Sequence, residues 1–337
     1  MPTIEDVAKQ AGLSRTTVSR VINDQPYVAE EKRQRVKEAM DLLGYVPNSS
    51  ARRLRNQKTE TIAILLPNIT NPFFSHLIEA MEIKASAWGY RVIICQTHED
   101  EKKELDYLEL LRTKQVDGVI MTAVRNEWSK IKPYLTYGPI VLCNENVRGA
   151  NLPVVYVDHE QAAYEATRHL IQQGCRHLAY LSGGNDSIVA QNRQKGFLKA
   201  LNQSGLSPVL DEKMEGAYTI DHGRDVLHSL VQHHPNVDGV FTGSDEVAAG
   251  MIHEAKQLGL RVPDDLAVVG FDNQAISLLM SPSITTVEQP VTEMGEHCVE
   301  TLVHYIEHPS VLFRQEIVFR HQLLVRDSTQ QRVTMIS

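Results

Sequence analysis

Apolar residues recur at helical spacing near the start of the chain. Ile4, Val7, Ala8 and Ala11 share one face of a short helix. Gly12 follows, where a tight turn needs a residue that tolerates left-handed backbone, and Ser14 stands where the next helix needs a cap. In that second helix Val18, Val21 and Ile22 form the apolar stripe. Arg15, Thr16, Ser19, Arg20 and Asn23 take the opposite face. A third helix is predicted from Glu31 to Leu43, burying Val36, Ala39, Met40 and Leu43 and closed by Gly44. Two short helices with a small residue at their crossing (Ala8), a glycine turn and a valine packing back (Val18) predict a helix-turn-helix.

After residue 59 the period changes. Short apolar runs bounded by turn signals appear at Ile62 to Leu66, Arg91 to Cys95, Gly118 to Thr122 and Ile140 to Cys143. Further runs are Val154 to Val157, His177 to Leu181, Gly239 to Thr242 and Leu266 to Phe271. Helical stretches such as Phe73 to Trp88 and Lys102 to Thr113 separate them. Alternating strands and helices predict parallel sheets with crossover helices. Val116-Asp117-Gly118-Val119 returns as Val237-Asp238-Gly239-Val240, which fits one lobe duplicated.

The chain has 337 residues, 42% hydrophobic and 23% charged, the composition of an ordinary globular protein of two or three domains. No apolar run approaches the ~18 residues needed to span a membrane, and Glu5, Asp6 and Lys9 stand where a secretory signal would be apolar. Cys95, Cys143, Cys175 and Cys298 lie far apart and read as reduced residues of a cytoplasmic protein. The net charge of −8 is uneven. Residues 1–58 hold eleven Lys/Arg against seven Asp/Glu, a net +4, and leave −12 for the rest. A basic head on an acidic body points to a nucleic-acid-binding segment.

The polar face of the second helix has the chemistry that DNA reading requires. Arg15 and Arg20 suit bidentate contact with guanine, Thr16 a base edge or thymine methyl, and Asn23 adenine or phosphate. Thr3, Ser14, Thr17 and Ser19 suit phosphate oxygens. From Tyr45 to Thr59 the chain carries Arg52, Arg53, Arg55 and Lys58 with no acid between. It reads as a linker whose arginines neutralise phosphate as it folds on DNA. Leu54 is either a wedge between minor-groove base steps or an incidental leucine.

These residues carry a resemblance. Thr3-Ile4-Glu5-Asp6-Val7-Ala8, Thr17-Val18-Ser19-Arg20-Val21-Ile22-Asn23 and Leu43-Gly44-Tyr45-Val46-Pro47-Asn48 resemble the head of the lac repressor (LacI/GalR) family of bacterial transcription regulators. The likeness is close over 2–56 and continues more loosely to about residue 326. It implies an all-α helix-turn-helix head and an α/β, periplasmic-binding-protein-like two-lobed body of parallel sheets in Rossmann-like subdomains. It further implies a homodimer on a near-palindromic double-stranded operator, with paired hinge helices contacting DNA through Asn48, Ala51, Arg52, Leu54 and Arg55. Arg15 and Thr16 fall where the family varies its operator choice, and Leu54 where it inserts a leucine. The expected divisions are a head at 1–46, a hinge at 47–58, a body at 59–328 and a tail at 329–337. Within the body the first lobe takes about 59–158 and 290–317, the second about 159–289 and 318–328. The tail lacks the heptad leucines of a tetramerising helix, so a dimer is expected.

Ligands of parallel sheets bind beyond the carboxyl ends of the strands, so the effector site is expected between the lobes. Candidates there are Asn71, Phe73, Phe74, His98, Asn144, Arg193, Tyr218, Asp245, Phe271 and Asp272. The resemblance carries Arg193 and Asp272 over as effector contacts. Phe73 and Phe74 read equally as core, Asp245 as a helix-start residue, and Tyr218 as surface. Asn, Asp, Arg and aromatic faces together suit a sugar or sugar phosphate. A purine or a protein corepressor would fit the same DNA switch. Asp245 and Asp272 as paired carboxylates would describe a sugar-processing enzyme instead. No GxSxG, HExxH or GxxxxGK[ST] motif accompanies them, and His228 and His233-His234 before Pro235 read as surface histidines. No catalytic residue, metal or cofactor is therefore expected.

Overall fold

A computed structural model describes residues 2–46, 58–147, 149–184, 187–209, 214–309 and 315–330. The chain divides into two units at Thr59 and Glu60. The first holds helices α1 (Ile4–Ala11), α2 (Arg15–Ile22) and α3 (Glu30–Leu43). Thr3 and Asp6 form a reciprocal capping box at the start of α1. Gly12 ends it at φ 63°, and Ser14 caps α2 by accepting from the Thr17 amide at 3.2 Å. Val7, Ala8, Ala11, Val18, Val21, Val36 and Ala39 make a small core, with Met40 and Leu43 only partly covered. Arg35 ties α3 to the turn, donating to the Ala11 carbonyl at 2.7 Å. Arg33 likewise holds the loop before α3, through the Val28 carbonyl at 3.2 Å and Asp24 at 2.5 Å.

The second unit contains two sheets. In the first, strands β1 (Thr61–Leu66), β2 (Arg91–Gln96), β3 (Gly118–Met121), β4 (Ile140–Cys143), β5 (Val154–Val157) and β10 (Glu316–Phe319) run parallel in the order β10-β5-β4-β3-β1-β2. Helices α4 (Pro72–Ala87), α5 (Glu101–Arg112), the short α6 (Trp128–Ile131) and α12 (Val291–Glu307) accompany this sheet. The second sheet has the order β11-β9-β8-β7-β6, with β6 (Leu178–Leu181), β7 (Gly239–Thr242), β8 (Ala267–Phe271) and β9 (Thr285–Glu288) parallel and β11 (Gln322–Leu324) antiparallel. Its helices are α7 (His159–Gln172), α8 (Ile188–Gln203), α9 (Ile220–His233), α10 (Asp245–Gln257) and α11 (Ala275–Leu279). All six residues of β1 are buried, because helices cover both faces of the sheet.

The repeated Val-Asp-Gly-Val has a structural reason. Asp117, just before β3, accepts the Glu60 amide that leads into β1, at 2.8 Å. Asp238, just before β7, accepts the Arg176 and His177 amides that lead into β6, each at 2.9 Å. The same aspartate thus clamps the entry of the neighbouring strand in each lobe.

The chain passes between the sheets three times: after β5, after β9 and between β10 and β11. The last passage comes later than expected. Val318 and Phe319 pair with Tyr156 and Val157, so they belong to the first sheet. The tail also begins later than residue 329. Thr329 is buried, bonded to His169 at 2.7 Å and to Thr285 at 2.6 Å, beside Ser328 donating to the Val268 carbonyl at 2.6 Å.

Helix α3 starts on Ala29, whose side chain can accept nothing from the first-turn amides. Ala29 already has extended backbone, at φ −58° and ψ 141°. Ala29→Ser should therefore stabilise the helix start by about 1 kcal/mol. Hydrogen exchange at the Glu31 and Lys32 amides should slow roughly fivefold, and unchanged rates would refute the missing cap.

Candidate functional site

The head presents Arg15, Thr16 and Arg20 as exposed side chains on one face of α2. Thr3 and Ser14 are exposed at the two helix starts, and Thr17 and Ser19 are half-buried. Arg15 pairs with Glu5 at 3.5 Å, but both are about two-thirds exposed, so the pair is worth little and does not commit the guanidinium. Asn23 differs from expectation. Its amide turns back to the Ser19 carbonyl at 2.5 Å and the Ser19 hydroxyl at 3.4 Å, ending the helix. Asn48, Ala51, Arg52, Leu54 and Arg55 lie outside the described residues.

In the body a cleft of about 110 Å³ opens between the carboxyl ends of the two sheets. The first lobe lines it with Asn71, Phe73, Phe74, Glu99, Arg125, Asn144 and Glu145, the second with Ser187, Arg193, Tyr218, Ser244 and Asp272. Several of these loops hold non-glycine residues in left-handed backbone: His98 at φ 55°, Glu99 at 61°, Asn144 at 69° and Asp272 at 95°. Each costs on the order of 1–3 kcal/mol, and such strain gathers where a side chain must be aimed.

The second-lobe wall centres on Arg193, which is buried. Its Nη1 donates to the Gly243 carbonyl at 2.8 Å, its Nε to His159 Nδ1 at 3.4 Å, and its guanidinium lies 3.5 Å from the Phe271 ring centre. Helix α8 comes close enough to α7 to allow this because Gly196 has no Cβ; one there would sit 2.0 Å from the Glu160 carbonyl. Asp272 accepts from Gln289 at 2.7 Å and Gln274 at 3.4 Å. Burial raises its pKa, and Arg193 opposes that rise. His159 is held well below the ordinary histidine range, by burial first and then by Arg193. An arginine only donates, so Nδ1 of His159 accepts, and the Nε2–H donates to Asn144 Oδ1 at 3.1 Å. That bond joins the lobes.

The first-lobe wall centres on Arg125. Nη2 meets Glu99 at 2.9 Å and Nη1 stands 3.7 Å from Glu145, while Nε is buried without a partner among the described residues. Buried Glu104 fixes the loop by accepting the Arg125 amide at 2.9 Å and the Asn126 amide at 3.1 Å. Glu145 accepts the Val124 amide at 2.8 Å, and burial pushes its pKa up to about 7 against the pull of Arg125.

The structure therefore brings Asn71, Phe73, Phe74, Asn144, Arg193, Tyr218 and Asp272 to one cleft. Phe73 is both wall and core, 5% exposed and edge-on to Phe74 at 5.1 Å. Tyr218 is half-open to solvent, at 43%. Three expectations need correction. His98 is exposed and bonded to the Gln96 side chain, since its left-handed backbone turns it off the wall. Asp245 is fully buried as the first residue of α10, accepting the Gln274 amide at 2.7 Å. Phe271 is sealed beneath Arg193 and supports it. Glu99, Arg125 and Glu145 were not anticipated, although Glu99 and Glu145 each stand one residue beyond a candidate, His98 and Asn144.

The family model described as "Bacterial regulatory proteins, lacI family" matches residues 3–48. The model "Periplasmic binding proteins and sugar binding domain of LacI family" matches 59–324. This chain belongs to the LacI family. It is a DNA-binding transcriptional regulator with an effector-binding domain. Among relatives, the NTD biosynthesis operon regulator NtdR of Bacillus subtilis (strain 168) is 40% identical over 98% of this chain and 100% of that protein. The ribose operon repressor of Halalkalibacterium halodurans is 38% identical over 98% of each. A solved CelR–cellobiose complex is similar with a TM-score of 0.71 at 28% identity, covering 97% of this chain and 100% of that one. The lac repressor dimer bound to operator and the anti-inducer ONPF shares the fold, with a TM-score of 0.86 at 23% identity over 97% and 99% of the two chains. The LacI-family homologues are transcriptional regulators rather than enzymes.

Glu145 generates a pH prediction. Its folded pKa of about 7 lies above the ordinary 4.5, so the native state binds more protons between those values and stability falls as pH rises through them. Glu145→Gln stays neutral throughout. It should match the parent at pH ~5 and exceed it by on the order of 2 kcal/mol at pH ~8 in urea denaturation. An equal difference at both pH values would refute the assignment.

Proposed function

We propose that this LacI-family regulator acts in the cytoplasm as a homodimeric repressor of a near-palindromic operator, released or engaged by a sugar or sugar phosphate in the cleft. The observation that carries the effector class is that Arg193 and Asp272 line the second-lobe side of the cleft and Phe73 and Phe74 the first-lobe side. Guanidinium and carboxylate together satisfy hydroxyl groups, and aromatic faces cover the apolar side of a sugar ring. The ribose repressor and the cellobiose complex among its relatives support the same class. The head is assigned the operator through Arg15, Thr16 and Arg20, with Thr3, Ser14, Thr17 and Ser19 on phosphate. The hinge at 47–58 is assigned the minor groove through Leu54, beside Asn48, Ala51, Arg52 and Arg55.

Exposed apolar side chains support the dimer. Ile93 and Ile94 on the edge strand β2, with Ile83 and Trp88 nearby in sequence, are open in the first lobe. Leu278 and Leu279 of α11 are open in the second, Leu279 at 83%. Such residues on both lobes suit a partner copy lying along the body.

The test uses an operator fragment selected by the parent protein from a random pool. Arg20→Ala should weaken specific binding roughly 10- to 100-fold (~1–3 kcal/mol) in a mobility-shift titration. Asp272→Asn should keep operator affinity and lose the response to free and phosphorylated sugars. Leu54→Ala should reduce DNA bending, read by circular permutation of the site. Parent-like selectivity in the first variant would sink the helix assignment, and a parent-like dose response in the second would move the pocket elsewhere.

A further inference from the structure

A cavity of about 580 Å³ opens in the first lobe, larger than the cleft and within the ~300–1,000 Å³ of small-molecule sites. It lies at the other end of the sheet. Pro139 and Pro153 line it, and these residues lead into β4 and β5, whereas the cleft lies beyond the carboxyl ends of the strands. The two cavities share no described lining residue.

Its walls are held by bonds that need no ligand. The Tyr134 hydroxyl donates to Glu109 at 2.9 Å, the Tyr137 amide donates to the Tyr134 carbonyl at 2.9 Å, and Lys114 donates to the Tyr137 carbonyl. These fix the turn Lys132–Thr136 and the residue after it. The sheet pins both prolines, through the Val119 amide on the Pro139 carbonyl at 3.1 Å and the Leu142 amide on the Pro153 carbonyl at 2.9 Å. Gly138 lets this wall approach the body of the lobe, since a Cβ there would stand 2.7 Å from the Leu111 side chain and 3.0 Å from the Asp117 carbonyl. A cavity so built is ready before anything enters it, which keeps the ordering cost of binding low.

The lining has a definite chemistry. Trp128, Tyr137 and Tyr305 contribute three aromatic side chains, and buried Ile140 and Leu152 contribute the aliphatic surface between them. Such faces pack best against another ring, offset or edge-on. Lys132, exposed to solvent, is the only charged residue among the described lining residues. The chain at 148 and 310–314, next in sequence to Gly149 and Pro309, contains no acidic residue, so the sign of the local charge does not depend on it. Aromatic walls with a cation at the mouth suit a flat ring that carries a negative charge. An exposed ammonium contributes little in water, so ring burial supplies most of the affinity and the lysine selects acids over neutral rings.

We propose that this cavity is a second ligand site, separate from the effector cleft, and that it takes a planar aromatic carboxylate. The ring lies among Trp128, Tyr137 and Tyr305, and the carboxylate meets the Lys132 ammonium at the mouth. The site stands whatever the cleft binds, because none of its walls belongs to the cleft.

The experiment titrates the full chain with 1-naphthoate, its neutral counterpart 1-naphthylmethanol, and decanoate as an acid without a ring. Calorimetry gives affinity and stoichiometry, and the indole N–H signals of ¹⁵N-tryptophan-labelled protein give the location. The chain has two tryptophans, so Trp88 serves as the internal control for Trp128. One 1-naphthoate per chain should bind, more tightly than either of the other compounds, and should shift the Trp128 signal while leaving that of Trp88 in place. Lys132→Ala should weaken 1-naphthoate about three- to fivefold and leave 1-naphthylmethanol unchanged. Tyr137→Ala, at another exposed position, should weaken both ring compounds about fivefold or more. The proposal is overturned if 1-naphthoate does not bind, if it binds without moving Trp128, or if both variants keep parent-like affinity. Tighter binding of decanoate or of 1-naphthylmethanol would equally overturn the ligand class.

Discussion

A cation sealed inside a lobe must be compensated, and Arg193 shows how much structure that demands. Removing a guanidinium from water costs several kcal/mol unless its donors and charge are met. Here the Gly243 carbonyl, His159, the face of Phe271 and Asp272 share that task. Each compensating group fixes another element. Phe271 and Asp272 set the end of β8, Gly243 the turn into α10, and His159 the start of α7. His159 can accept from Arg193 only while neutral, and its remaining proton then goes to Asn144 across the lobe boundary. The position of one buried charge thus reaches from the cleft floor to the opposite lobe.

Much of the fold was legible because its period was. Strands β4 and β7 are short apolar runs with turn residues on either side, and their observed bounds, Ile140–Cys143 and Gly239–Thr242, coincide with those runs. Helix α2 was legible from its valine stripe and the serine before it. The late strands were not. Thr285–Glu288 and Gln322–Leu324 mix threonine, glutamate and glutamine with apolar residues, and only their partners make them strands. Buried Thr285 of β9 bonds to Ser328, Thr329 and the Arg326 carbonyl in a polar network that no hydrophobic period announces.

The cleft was legible to within a residue. In the first lobe, strand ends pointed to His98 and Asn144. The wall is made by Glu99, Arg125 and Glu145 as well as Asn144. What shifted the register is backbone that period-two counting does not contain. Left-handed residues at 98 and 99 re-aim the chain after β2. Two buried glutamates, Glu104 and Glu145, hold the 124–126 amides so that the loop after β3 delivers Arg125 into the cleft. Asp245 misled for a related reason. A carboxylate at a strand end can face a ligand or cap its neighbour, and its burial decided for the second.

A ligand moves a two-state protein only by binding one state better. Contacts confined to the second lobe would be equal whether the lobes are open or closed, however tight they were, and would shift nothing. Differential affinity must therefore come from atoms on the far wall, at a distance that changes as the lobes move. Three chain passages, after β5, after β9 and between β10 and β11, tie the two sheets together. The first-lobe wall is rigid relative to its own sheet, because Glu104 and Glu145 anchor its loop to backbone amides. On the proposed function, a ligand held by Arg193 and Asp272 favours a closed form only by what it adds on the first-lobe wall. On that reading the first-lobe contacts, and not the tightness of the second-lobe grip, supply the differential affinity that a signal needs.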